Sequence, residues 1–290
     1  MVGPEVRVEA QFLGVPGDQV HADYLGLNHC GWIQRVLVDG RDRLPELLDR
    51  YDELRMLDHQ WRLFETELVR SIGMLPMEYL YFYYYREQAF ENILRSGGTR
   101  AAQIAAINDA LWPALRAHVD ANDPAGAADA WTEAMQTRDE TYFARERGEA
   151  LLPPSSPRMH DELVEGEGYA GVATAVMLAT SQRRKVPLIL NVPNRGAIHG
   201  LRDDDVVEVT CMMDEHGAHP LAQGEIPESA RALLAQVKLY ERLTVRAAVE
   251  GSYDTALEAL LAHPLVGSYP LARSILDDYL AAHTAYLSLV

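Results

Sequence analysis

The chain has 290 residues, 43 acidic against 26 basic side chains and a formal net charge of -17, and at 48% hydrophobic content it can bury a large core. That acidity repels nucleic-acid backbones and anionic lipid surfaces at long range, although it leaves room for a local basic pocket that takes a small anion. No stretch approaches the roughly 20 apolar residues of a membrane span, the segment MVGPEVRVEAQ lacks the apolar core of a secretion signal, and Cys30 and Cys211 are too few for a disulfide framework; a cytoplasmic protein with neither nucleic-acid nor membrane partners is the expectation.

Residues 33–38 (IQRVLV) run into Asp39-Gly40, an apolar strand and a turn dipeptide that predict a first hairpin. From 45 to 72, Leu48, Tyr51, Leu54, Leu57, Trp61, Phe64 and Leu68 recur at spacings of three and four, which predicts one long helix. Pro76 breaks the chain before the tyrosine-rich segment 79–85. Ile104, Ile107, Leu111 and Leu115 predict another helix, ended by Asn122-Asp123-Pro124, and a further helical run continues to about residue 150. LLPPSSP at 151–157 reads as a loop inside one domain, because helical sequence flanks it on both sides. Residues 186–192 and 205–213 read as strands, and 227–288 as helices separated by Gly251-Ser252 and His263-Pro264. There is no repeat and no GxGxxG turn between a strand and a helix, so no dinucleotide fold is encoded. Helices with a few strands that need not alternate with them define the α+β class, in one domain over 1–290.

Several residues invite chemistry on their own. His29 is one of ten histidines and, taken alone, reads as a hydrogen-bonded structural residue. Cys30 reads as a core thiol, since adjacent side chains diverge. Most of Tyr79, Tyr81, Tyr83, Tyr84 and Tyr85 read as packing surface, and Arg100 as a surface arginine paired with an acid. Gly166-Glu167-Gly168-Tyr169 precedes an apolar run and could offer free amides to a phosphate, though an ordinary helix start is the better reading. Asp203-Asp204-Asp205 reads as a solvated turn.

Four segments change that balance: YLGLNHCGW at 24–32; PMEYLYFYYY at 76–85 with Gly98-Thr99-Arg100; NVPNRGAIHGLRDDDVVEV at 191–209 with GAHPL at 217–221; and QVKLYERLTVRAAVEGS at 236–252 with LLAHPLV at 260–266. Together, and in this order, they resemble the C-terminal domain of the family 4 glycoside hydrolases, most closely the 6-phospho-β-glucosidase branch. The resemblance implies a helix-rich α+β fold of the family 4 glycosidase and lactate-dehydrogenase C-terminal type, with a small, mainly antiparallel sheet. It implies hydrolysis of O-glycosyl bonds in phosphorylated glycosides by a redox-elimination route dependent on NAD and Mn2+, an exception to the two-carboxylate scheme. His29 would be a metal ligand, Tyr79 the base that removes the C2 proton, and Asn28 and Arg100 substrate contacts. A phenol becomes a base only where positive charge favours the phenolate, a role the metal and Arg100 could fill.

Family members begin with an NAD-binding domain ending in a CxxP segment whose cysteine is the other metal ligand. Met1-Val2-Gly3-Pro4 aligns just beyond that segment, so the NAD-binding domain and the metal cysteine are expected to be missing from this chain, which alone would be inactive. No cofactor-binding residue is assigned to it. The expected partners are the glycoside, further copies of the chain in a dimer or tetramer, and a separate NAD-binding half. Two other readings stay open: a non-catalytic sugar-binding or oligomerisation remnant, and a dehydrogenase catalytic domain, which would leave YLGLNH unexplained. The linkage, α or β, is not encoded.

Overall fold

The structure, a computed structural model, describes residues 7–57, 61–148 and 168–287. The calls on Met1–Pro4, on LLPPSSP and on Gly166-Glu167 lie outside these residues. In chain order the elements are α1 (Arg7–Leu13), β1 (Val20–Leu27), β2 (Cys30–Val38), β3 (Arg41–Asp42), α2 (Leu44–Asp49), α3 (Tyr51–Leu57), α4 (Thr66–Ile72), β4 (Leu75–Pro76), α5 (Tyr81–Tyr84), α6 (Arg86–Arg95), α7 (Arg100–Asp120), α8 (Pro124–Glu140) and α9 (Gly168–Gln182). They continue with β5 (Val186–Pro193), β6 (Val206–Asp214), β7 (Gly217–Pro220), α10 (Glu228–Glu250), α11 (Tyr253–Ala262) and α12 (Tyr269–Ala282). The fold is the helix-rich α+β class with a small antiparallel sheet.

The chain divides into two compact units, residues 1–83 with 172–290, and residues 84–171. The sheet belongs to the first. Its order is β3-β2-β1-β6-β5, with β4 on β2 and β7 on β6, and every described pairing is antiparallel. The Asp39-Gly40 hairpin joins β2 to β3 as the dipeptide predicts, with φ of 49° and 74°. β1 is not apparent in the sequence pattern because seven of its eight residues are buried, which erases the period-2 alternation of a half-exposed strand.

The long helix expected over 45–72 is instead three short helices. The chain doubles back because the Tyr51 hydroxyl donates to the Trp61 carbonyl at 2.8 Å. Glu65, in extended backbone, starts α4, and left-handed Gly73 ends it. Only part of the expected apolar face is buried: Tyr51, Leu54, Trp61 and Phe64 are fully covered, Leu48 and Leu68 partly so, and Leu57 is 46% exposed. Packing, not helix continuity, set that pattern.

Thr210 marks the point where one edge of β6 passes from β1 to β7. Its hydroxyl accepts from the Tyr24 N–H at 2.8 Å and donates to the Ala22 carbonyl at 3.1 Å, while its own carbonyl accepts from the Leu221 N–H at 3.0 Å. A further long-range tie runs to α10. Asp205, buried, accepts two hydrogen bonds from Arg242 at 2.8 and 2.7 Å and one from the Arg202 N–H at 2.9 Å. The Asp203-Asp204-Asp205 run is therefore solvated at its first two residues and an internal ion pair at the third.

The second unit is helical. α7 and α8 form a hairpin, with Thr99 capping α7 through the Ala102 N–H and Asp123 capping α8 through the Gly126 N–H. α8 stops at Glu140 and turns follow over 141–148, so the helical run to about residue 150 is shorter than expected.

Candidate active site

The β1–β2 register pairs Leu27 with Cys30, which leaves a two-residue turn, Asn28-His29. His29 takes φ of 62°, a left-handed conformation that histidine tolerates better than most residues. Both turn side chains are exposed. Cys30, the next residue, faces inward and is buried; burial, with Glu241 adding to it, pushes its thiol up to about 12. It is a core thiol rather than a thiolate ligand.

The hairpin is thin where it carries this turn. Gly26 sits opposite Gly31, and a Cβ on Gly26 would strike the backbone of Gly31 and Cys30, while one on Gly31 would strike the phenol of Tyr24. Tyr24 lies across Gly31 and donates from its hydroxyl to Glu208 Oε2 at 3.0 Å. The second oxygen of Glu208 accepts from Asn191 Nδ2 at 3.3 Å. The glycines in YLGLNHCG are therefore requirements of close packing.

Tyr79 comes to His29 through backbone pairing. β4 lies against β2 at Trp32 and Ile33, and the Met77 N–H donates to the Gly31 carbonyl at 3.1 Å. A 3-10 turn over Glu78–Leu80 follows, anchored by the fully buried Leu80. This aims Tyr79 at the turn, where its ring stacks on the His29 imidazole, 4.1 Å between centroids and 8° from parallel. Tyr83, a few residues on, is half-buried, and burial followed by Cys30 and Glu241 raises its phenol, which disfavours a phenolate there.

Arg100 belongs to the second unit and is the first residue of α7. Its Nη1 donates to Gln103 Oε1 at 3.0 Å and to Thr141 Oγ1 at 2.6 Å, and Nη2 donates to the Arg138 carbonyl. Tyr142 lies 5.9 Å from the guanidinium carbon. These contacts tie the start of α7 to the end of α8. The structure thus brings together His29, Asn28 and Tyr79; it shows Arg100 engaged inside its own unit.

Sequence reasoning did not find Glu208, Asn191 or the buried Lys238, which pairs with Glu241 one helical turn away. The VEV and VKLYE segments that hold Glu208, Lys238 and Glu241 were visible, but partners such as Tyr24 and Glu208 are 184 residues apart.

The cofactors implied by the resemblance can be tested on these residues. The exposed His29 imidazole fits one corner of a divalent-metal site, which a single nitrogen cannot complete. NAD does not fit: a mononucleotide fold is a parallel sheet with a glycine-rich turn, and every described strand pairing is antiparallel.

The described elements define a helix-rich α+β domain built on a small antiparallel sheet. The chain matches the family 4 glycosyl hydrolase C-terminal domain over residues 24–266 and belongs to that family. It is 29% identical over 286 residues to the "Probable 6-phospho-beta-glucosidase" of Bacillus subtilis, covering 96% of this chain and 57% of that protein. It is 27% identical over 300 residues to a phospho-alpha-glucosidase of Clostridium acetobutylicum, covering 96% and 59%. Among solved structures it resembles the 6-phospho-beta-glucosidase of Thermotoga maritima with NAD and glucose-6-phosphate, at a TM-score of 0.69 and 25% identity, covering 99% of this chain and 59% of that one. The chain thus spans somewhat less than 60% of the length of each of these relatives. No helix among the described residues is long and apolar enough to cross a membrane.

Proposed function

We propose that this chain supplies the metal-histidine and proton-transfer part of a 6-phosphoglycosidase site. The observation that carries the reading is the stacked His29–Tyr79 pair at the β1–β2 turn. His29 would hold one position on a divalent ion such as Mn2+, which when bound acts as a Lewis acid on the sugar's oxygens. Tyr79, fixed beside it, would take the proton from C2 of the bound sugar, while Asn28 hydrogen-bonds a ring hydroxyl from the same turn. The stack holds phenol and imidazole in register, which would fix the phenol for proton transfer from the bound sugar. Arg100 remains a proposed substrate contact, although its present bonds to Thr141 and Arg138 would have to open for it to serve.

The sugar would carry a 6-phosphate, in line with relatives named 6-phospho-beta-glucosidase and 6-phospho-alpha-glucosidase, so the linkage stays open. A nucleotide-binding half, on this or another polypeptide, and self-association complete the proposal. The test combines this chain with such a half and follows exchange of the C2 proton with deuterium from solvent. Loss of the base should cost about 10²- to 10⁴-fold in Tyr79→Phe with metal binding retained. Undiminished exchange moves the role to another group.

A further inference from the structure

A second set of metal-type donors lies at the β6–β7 turn, in the same unit as His29 but in a different hairpin. The register pairs Asp214 with Gly217 and Met212 with His219, so Glu215 and His216 form the turn. Gly217 has φ of 110° and no side chain opposite Asp214. His219, diagonal to Asp214 across the ladder, and His216, at the turn, each approach the Asp214 carboxylate. Asp214 Oδ1 lies 3.0 Å from His219 Nε2 and 3.7 Å from His216 Nδ1, and accepts the His216 backbone N–H at 2.8 Å. Donor atoms of Asp214, Glu215 and His216 all lie within 4.8 Å of one another.

We propose that Asp214, His216 and His219 form a surface site for one divalent transition-metal ion of the zinc or nickel class, with Glu215 at its rim. The imidazoles carry the argument, because two nitrogens with one carboxylate select a borderline transition ion over calcium or magnesium. Metal–nitrogen and metal–oxygen bonds of about 2.0–2.1 Å put neighbouring ligand atoms roughly 3 Å apart, close to the spacing found around Asp214 Oδ1. Asp214 is well prepared for the role. Its side chain is only 14% exposed, and its Oδ1 already accepts the His216 N–H at 2.8 Å. The imidazoles of His216 and His219 are 75% and 52% exposed, so an ion reaches them from solvent. A bound ion would clamp the two strands of the hairpin.

The experiment uses the whole chain carrying His29→Ala, which removes the histidine of the proposed catalytic metal position and so keeps the two readings separable. Titration calorimetry with zinc chloride should show one ion bound per chain, and NMR should show the His216 and His219 imidazole resonances moving with it. Adding His216→Ala and His219→Ala should weaken binding by more than the ~10-fold that even outer-shell partners cost, with the circular dichroism spectrum unchanged. Absence of zinc binding in the His29→Ala chain, unmoved imidazole resonances, or unaltered affinity in the triple variant would each overturn the proposal. None of these results bears on proton transfer by Tyr79.

Discussion

His29 and Tyr79, 50 positions apart in the chain, lie ring on ring at 4.1 Å because β4 pairs with β2 immediately beside the turn that carries the histidine. Stacking of this kind contributes about 0.5–1.5 kcal/mol beyond area burial, and on an exposed turn it is a main restraint on the imidazole. Tyr79→Leu should therefore weaken Mn2+ binding by up to about tenfold, whereas Tyr79→Phe, which keeps the ring, should leave it near the parent value. Paramagnetic broadening of the His29 imidazole resonances during a Mn2+ titration reads this out at the residue itself. Equal affinity in the leucine and phenylalanine variants would mean that the stack does not position the ligand.

The close approach of Gly31 to the Tyr24 phenol gives a second expectation. Gly31→Ala forces the ring off its seat and away from Glu208, with overpacking of the kind that costs about 1–3 kcal/mol. Tyr24→Phe removes only the hydroxyl and should cost less, about 1 kcal/mol. Urea denaturation of the two variants checks the order. Gly26→Ala should be at least as damaging as Gly31→Ala, because its new Cβ meets backbone rather than a side chain that can swing aside.

Much of the fold was legible in local chemistry. The Asp39-Gly40 turn, the Asn122-Asp123-Pro124 break, the two later strands and the Gly251-Ser252 break all stand where short-range rules put them. What was not legible depended on distant partners. β1 hides its alternation under burial from both sides, and the broken helix over 45–72 depends on Tyr51 reaching Trp61. Asp205 could not be told from Asp203 and Asp204, since its partner Arg242 is 37 residues away on α10. The site was more weakly encoded still. His29 stands out among ten histidines only through the likeness of YLGLNH to a family pattern, and that same likeness, not any local spacing, is what set Tyr79 in one site with it.

The Asp205–Arg242 pair yields a stability test. Asp205 is buried, and Arg242 supplies two of its hydrogen bonds. Arg242→Met leaves the carboxylate buried with the Arg202 N–H still donating to it, and breaking one side of a buried pair costs about 3–5 kcal/mol. Arg242 is itself 31% exposed, so screening places the loss near the lower end. Asp205→Asn paired with Arg242→Met should recover part of that loss, because the charge left stranded by the single change is then gone. A double-mutant cycle in urea measures the recovery; no recovery would mean that the pair acts through packing alone.

The buried thiols set the alkaline limit of the fold. Burial raises Cys30 from an ordinary 9.0 to about 12 and Cys211 from 9.0 to about 11, and the Tyr83 phenol moves upward from 10.0 for the same reason. The folded state thus holds these protons more tightly than the unfolded chain does. Their contribution to stability is fully present below pH 9, where both states keep the thiols protonated, and is lost as the pH climbs through 9 toward 11 and 12. Urea midpoints should change little on their account below that window and fall within it. In the Cys30→Ala Cys211→Ala variant the baseline is lower, since two well-packed side chains are trimmed, but the slope of stability against pH above 9 should be shallower than in the parent. Alkylation supplies a direct companion measurement: with iodoacetamide at pH 8 the native chain should label far more slowly than the urea-unfolded chain, because so little thiolate exists in the fold and the sulfurs are covered. Rapid native labelling, or parallel pH slopes for parent and variant, would show that the thiols are not held protonated by the core.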